Sequence, residues 1–278
     1  MTLTQKIALI TGAGGGIGSE ISSQLAEANF FVYATDLAIE NMNHLTSENI
    51  KKMVLDVCDA DNIQQVVEQI IAEKGRIDLL VNNAGYGQLG AVEIVPTELV
   101  KKQFDVNVFG YGRMQKAVLP YMRAQRSGHI INMSSIVGKV ATVGYGWYAA
   151  SKHAIEAISD SLRSEVAMLG IKVTLIEPGL VATAFVDKQI KALGGIEHPA
   201  DYKPVIDAAA GVGANGEGAK AADIARAVVK AATSSNPPWR HALPMDSKMS
   251  IFIQRYFGQR VLSAILRRSL KIPKVYNP

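Results

Sequence analysis

The chain has 278 residues, 48% of them hydrophobic and 19% charged, which excludes a disordered chain and a polar repeat array. Its net charge is +4, yet residues 237–278 hold eight basic side chains against one acidic one, Asp246, so a tail at +7 is attached to a slightly acidic body. No run reaches the ~18 apolar residues that span a bilayer, the apolar start Ile7–Ile10 is cut by Gly12 without a basic leader, and one cysteine, Cys58, excludes an internal disulfide or cysteine metal cluster; a soluble, cytoplasmic protein is expected.

In chain order, Lys6–Ile10, Phe30–Thr35, Met53–Leu55, Asp78–Val81, His129–Met133 and Lys172–Ile176 read as strands, most of them apolar on both faces. Such runs suit a parallel sheet covered on both sides. Amphipathic segments near Ile17–Ala28, Asp61–Lys74, Thr97–Arg126 and Trp147–Leu169 alternate with them. The expected fold is α/β: a single Rossmann-type doubly wound parallel sheet with helices on both faces and a helical C-terminal extension. Residues 1–236 form the expected dinucleotide-binding catalytic domain, with an irregular, glycine-rich substrate loop at about 184–218. Pro237-Pro238 then marks the start of the extension, 237–278.

After the first strand comes Thr11-Gly12-Ala13-Gly14-Gly15-Gly16-Ile17-Gly18, running straight into a helix. A tight glycine turn at a helix start presents backbone N–H groups to a pyrophosphate at the positive end of the helix dipole. A second glycine pattern, Gly211 to Gly216, follows no apolar strand and reads as a loop. The second strand runs into Asp36, whose carboxylate can accept both ribose hydroxyls of an adenosine and opposes a 2′-phosphate. Two unit charges ~4 Å apart repel by ~4 kcal/mol at an effective dielectric near 20. Leu37 follows, and no Arg or Lys lies beside Asp36 to offset that repulsion, so NAD is favoured over NADP. Asp36 could also cap a helix over 38–45.

Tyr148 and Lys152 stand at i and i+4 on one helix face. An isolated tyrosine, with pKa ~10, is a poor base at neutral pH, and a fixed cation favours its phenolate. Upstream, Ser134 and Ser135 follow the strand His129–Met133, at the carboxyl edge where open parallel sheets deliver ligand contacts. Either hydroxyl could orient a substrate oxygen; Ser135 is preferred. Tyr145 lacks a lysine four residues later and reads as pocket wall.

These motifs, together with Asp56-Val57, Asn82-Asn83-Ala84-Gly85, Asn107 and Pro178-Gly179-x-x-x-Thr183, occur in register, and the chain resembles the short-chain dehydrogenase/reductase family, most of all its hydroxysteroid/retinol dehydrogenase branch. The resemblance implies Tyr148 as acid/base, and Lys152 as the group that lowers its pKa and holds the nicotinamide ribose. It implies Ser135 as the group polarising the substrate oxygen and Asn107 as the holder of a relay water. Gly12, Gly16, Ile17, Gly18, Asp36 and Leu37 would line the phosphate and ribose end. Asp56 and Val57 would meet adenine, Asn83, Ala84 and Gly85 the cleft, and Val181 and Thr183 the carboxamide. Asp56 could instead cap the helix near Asp61, and Asn83 could satisfy a strand end. Gly15 stands where many relatives carry Ser.

Tyr86, Val137, Val140, Val143, Tyr145, Leu180 and Phe185 form an expected apolar pocket wall suited to a lipophilic secondary alcohol or ketone. The expected activity is hydride exchange between NAD(H) and such a steroid-, retinoid- or aryl-alcohol-like substrate. The alternatives are an NADPH-dependent carbonyl reductase and a non-catalytic dinucleotide sensor. No metal is expected, because the five histidines show no ligand pairing. Residues Ile251–Lys271 place Phe257, Val261, Leu262, Ile265 and Leu266 on one side of a helix and Arg260, Ser263, Arg267 and Lys271 on the other. That helix is expected to pack on the core or a second subunit of a homo-oligomer, ahead of covering the substrate mouth or lying on an anionic membrane. Nucleic acid is not an expected partner, since aromatic stacking platforms are missing among the basic residues.

Overall fold

The computed structural model describes residues 5–212, 218–270 and 272, without the side chains of 184–188 and 246. Seven parallel strands form one sheet in the order β3-β2-β1-β4-β5-β6-β9. Their ranges are β1 Lys6–Thr11, β2 Phe30–Asp36, β3 Ile50–Val54, β4 Leu79–Asn82, β5 Gly128–Met133, β6 Ile171–Pro178 and β9 Arg240–Leu243. A two-stranded ribbon pairs β7, Val181–Ala182, with β8, Ala219–Lys220. The order reverses between β1 and β4, and a crevice at such a switch point, beyond the strands' carboxyl ends, is where open α/β sheets bind ligands.

Both faces are covered, which is why the strands read as continuous apolar runs. On one face lie α1, Gly16–Glu27, and α8, Ala221–Thr233; Ile21 and Leu25 pack with Ile224 and Val228 against Ala8, Ile10 and Val32. On the other lie α2, Ala60–Lys74, α4, Tyr111–Gln125, and α5, Gly146–Val166. Ile63, Val66, Val67 and Ile70 follow the 3–4 spacing that aims one stripe of α2 at Leu9, Leu80 and Ile130. The N-cap of α2 is Asp59, whose carboxylate accepts from the N–H groups of Asp61 and Asn62. Asp56 is therefore not that cap: it accepts from the Cys58 N–H instead.

Four expectations are corrected. The segment from 97 to 126 is not one α-helix: α3, Thr97–Phe104, passes into a π-helical turn, Asp105–Gly110, before α4. Residues 184–211 are largely helical, with α6 over Ala184–Gly194 and α7 over Lys203–Gly211. Both helices are short and are separated by Gly195 and Pro199, which breaks the periodicity, although Pro204 in the first turn of α7 is a helix-start signal. The glycine pattern from Gly213 to Gly216 lies outside the described residues. Pro237 is no boundary, because β9 beyond it completes the sheet against β6. Finally, the terminal helix α9 begins earlier, at Met245, runs to Ser269, and breaks at Gly258, whose φ is 81°. No helix among the described residues is long and apolar enough to cross a membrane.

Candidate active site

The glycine turn between β1 and α1 is built for close approach. Gly12 and Gly16 have φ of 68° and 54°, a region L side chains disfavour. A Cβ on Gly18 would collide with the carbonyl oxygen of Gly12, so the turn closes only without one. Gly15, by contrast, is extended and faces open space. Asn83 stitches this turn to β4: its Nδ2 donates to the carbonyls of Thr11 and Gly12 at 3.1 and 2.9 Å. The N–H groups of Asn83 and Ala84 both donate to Thr11 Oγ1 at 3.1 Å. Ile17 packs against the core beneath the turn, and Thr183 lies beside Gly16.

Asp36, at the end of β2, sits over the turn. One carboxylate oxygen accepts the Gly14 N–H at 2.9 Å, and the other accepts from the Leu37 N–H and from Asn41 Nδ2 at 2.7 Å. The short helix after it begins at Ile39 and takes no side-chain cap, so capping is not what occupies Asp36. Leu37 is exposed. Val57 is buried beneath Gly110, and Val181 is buried in the ribbon that carries Thr183 toward the turn. The fit to a dinucleotide rests on this cradle: a positive-φ turn that a Cβ would fill, a helix start without an acidic first turn, and a carboxylate at the β2 end.

The second half of the site gathers where β5 ends. Ser135 caps the turn Ile136–Gly138, its Oγ accepting the Val137 N–H and donating to the Pro178 carbonyl, both at 3.3 Å. It is also hydrogen-bonded to the Tyr148 hydroxyl. Ser134 faces away: its Oγ lies against Gly138 and has no hydrogen-bond partner, so of the two serines Ser135 is the one brought to Tyr148. Lys152, one turn along α5, donates from Nζ to the Met133 carbonyl at 2.8 Å and lies 5.8 Å from the centre of the Tyr148 ring. Asn107, in the π-helical turn, is fully buried. Its Oδ1 accepts the Tyr86 N–H at 3.0 Å, and its Nδ2 donates to the Tyr86 carbonyl and to Ser151 Oγ. The Asn side chain thus ties the loop 83–88 to α5. A π-turn in that helix, a frequent mark of functional sites, explains the asparagine there.

Burial governs the two titratable groups of the site. Burial raises the Tyr148 phenol above its ordinary value, and the Ser135 hydrogen bond opposes this. The Lys152 Nζ is turned to the Met133 carbonyl. Burial lowers Lys152 itself to about 8, with Glu156 opposing.

Around Tyr148, an apolar cluster joins Val137, Tyr145, Ala149 and Leu89 to Leu193 of α6 and Ala209 of α7. Tyr145 packs on Tyr148 with ring centres 6.5 Å apart. Val140 is buried, while Val143, Leu180 and Tyr86 are half-buried. The Phe185 side chain lies outside the described ones. Leu193, Ala209 and Leu89 were not read as pocket wall, because nothing local in the sequence brings α6 and α7 over Tyr148.

A buried charge cluster behind the site also had no sequence signal. Glu156 and Glu177 are both buried; Lys139 reaches Glu156 at 2.7 Å, and Arg240 Nε reaches Glu156 and Glu177 at 3.1 and 3.2 Å and pairs with Asp160. Arg240, counted with the basic tail, instead lies on β9 of the sheet, half-buried against these carboxylates. Desolvation and the neighbouring Glu156 hold the Glu177 carboxyl well above the usual carboxylate range.

The chain matches the family model for short chain dehydrogenase over residues 6–193. It is 45% identical over 187 residues to 3-ketodihydrosphingosine reductase of Bacteroides thetaiotaomicron, covering 66% of this chain and 67% of that one. It is 32% identical over 249 residues to retinol dehydrogenase 8 of Bos taurus, covering 84% and 79%. A short-chain dehydrogenase from Streptomyces avermitilis superposes with a TM-score of 0.83 at 29% identity, over 98% of this chain and all of that one. A metagenomic short-chain oxidoreductase in complex with NADP, at 24% identity, shares the fold with a TM-score of 0.70 over 87% and 98%.

Proposed function

Since the chain belongs to the short-chain dehydrogenase/reductase family, oxidoreductases that bind a nicotinamide dinucleotide and act on carbonyl and CH–OH groups, we propose that it interconverts a lipophilic ketone and secondary alcohol with NAD(H), using Tyr148 as general acid and base. The observation that carries this reading is the Tyr148–Ser135 hydrogen bond at the carboxyl end of β5, one helical turn from Lys152 and walled by apolar side chains.

When bound, the dinucleotide supplies or accepts a hydride at its nicotinamide. The chain's own groups do the rest. Gly12, Gly16, Ile17 and Gly18 with the α1 start would hold the pyrophosphate, and Asp36 with Leu37 the adenosine ribose. Asp56 and Val57 would flank adenine, Asn83–Gly85 the cleft, and Val181, Thr183 and Lys152 the nicotinamide half. Ser135 would donate to the substrate oxygen in place of the Pro178 carbonyl. Tyr148, kept as the phenol by burial, is ready to give its proton to a carbonyl oxygen; in the reverse direction it takes that proton back. With both ends of its side chain engaged, Asn107 positions Tyr86 and Ser151, and a relay water would have to use its main chain.

Two features support the finer choices. Asp36 sets a negative charge where a 2′-phosphate would lie, which favours NAD. The apolar lining, and relatives named for 3-ketodihydrosphingosine and for retinol, favour a lipophilic substrate. The test follows NADH absorbance with a panel of steroids, retinoids and aryl or aliphatic ketones. Turnover of lipophilic members is expected, with Tyr148→Phe slower by ~10²–10⁴-fold. Undiminished turnover by Tyr148→Phe, or turnover confined to polyols, would overturn the reading.

A further inference from the structure

We propose that α9 is a docking surface for an anionic lipid bilayer. Before the break at Gly258, Met245, Met249, Phe252 and Tyr256 recur at 3–4 spacing and all face solvent, each at least 50% exposed. Lys248 and Arg255, seven residues apart, are exposed alongside that stripe. Ser247, on the opposite side, is buried against Gly179. Phe257, next to the break, and Val261 and Ile265 after it are also exposed, beside Arg260 and Arg268, while Leu262 turns inward. The expected apolar side of this helix is thus divided: Leu262 is buried and Leu266 half-buried, while Phe257, Val261 and Ile265 face solvent. Phe252 stacks near Tyr256 and Phe257, with ring centres 4.6 and 6.4 Å apart, so the aromatic side chains form one patch.

An exposed apolar patch of this extent marks a surface that something covers. Charge chooses among the occupants. From Lys248 to the end the chain holds seven basic residues and no acidic one. A second copy placed on the patch by a two-fold axis would bring two such segments together, with like charges facing. A bilayer bearing anionic headgroups meets the same residues with opposite charge and takes the aromatic and aliphatic side chains into its interface. The helix also borders the pocket mouth: Ser247 lies on Gly179, beside Leu180, and Gln259 Nε2 donates to the Ala141 carbonyl, beside Val140 and Val143. If the proposed lipophilic substrate is right, docking would set that mouth against the bilayer from which it comes; the docking itself does not rest on that reading.

The test is flotation of the full chain with vesicles of phosphatidylcholine alone and of phosphatidylcholine with phosphatidylglycerol, which needs no turnover. Flotation with the anionic vesicles, weakened by salt, is expected. Arg255→Gln with Arg260→Gln should weaken partitioning about thirtyfold, since each basic residue near an anionic surface contributes ~1 kcal/mol. Phe252→Ser with Phe257→Ser should abolish it at unchanged Tm and unchanged turnover. Wild type that stays unfloated with anionic vesicles would overturn the proposal. So would a vesicle-free dimer that Phe252→Ser with Phe257→Ser splits into monomers, which would show that a second copy covers the patch.

Discussion

Lys152 donates from Nζ to the carbonyl oxygen of Met133 at 2.8 Å, tying the helix that carries Tyr148 to the strand end that leads into Ser135. This bond helps fix the separation between the Tyr148 and Ser135 hydroxyls. It also places an ammonium where burial opposes its charge.

The cost of that burial gives a pH dependence. With Lys152 at about 8 in the fold, the unfolded chain holds a proton that the fold has released from there up to the ordinary lysine value. Stability therefore rises with pH across that interval. Between pH 7 and 9, wild type should gain roughly 1 kcal/mol, about 2 °C in Tm, relative to Lys152→Met. Thermal unfolding of both proteins at the two pH values checks this; a constant gap would contradict it.

Glu177 has the opposite sign. Its carboxyl, facing Glu156, Lys139 and Arg240, is held above the usual carboxylate range, so the fold keeps a proton that the unfolded chain has lost. Stability from this group is present at acid pH and falls as pH rises toward and through neutrality. Glu177→Gln removes the titration while keeping the shape. Its denaturation midpoint should gain on wild type between pH 5 and 8, and parallel curves would defeat the assignment.

The glycine turn separates two neighbours. Gly18→Ala forces a Cβ onto the Gly12 carbonyl oxygen, a backbone atom that cannot step aside, and should cost about 1–3 kcal/mol. Gly15→Ser meets open space and should stay within about 0.5 kcal/mol. Tm values of the two variants measure the contrast, and equal losses would show that the turn is not set by close approach.

Asp36→Asn keeps one acceptor for the Gly14 N–H and removes the charge. The ratio of kcat/KM for NAD over NADP should fall at least about tenfold, roughly a third of the ~4 kcal/mol repulsion between close charges. An unchanged ratio would place cofactor choice elsewhere.

Much of this protein was legible without coordinates. The parallel sheet follows from continuous apolar runs alternating with one-sided helices, and the glycine turn, Asp36 and the Tyr148/Lys152 pair follow from short spacings. Each is a local pattern, written within one element or one turn. The tertiary structure decided what depends on elements far apart in the chain. It turned Ser135 rather than Ser134 to Tyr148, because β5 meets β6 and α5 in one register. It brought α6 and α7 over the site and made β9 part of the sheet, so that Arg240 serves buried carboxylates instead of a solvent-facing tail. It also turned Lys152 onto the Met133 carbonyl. Spacing reports which side chains share a face; burial and long-range pairing, which set charge state and partner, arise only once the faces meet.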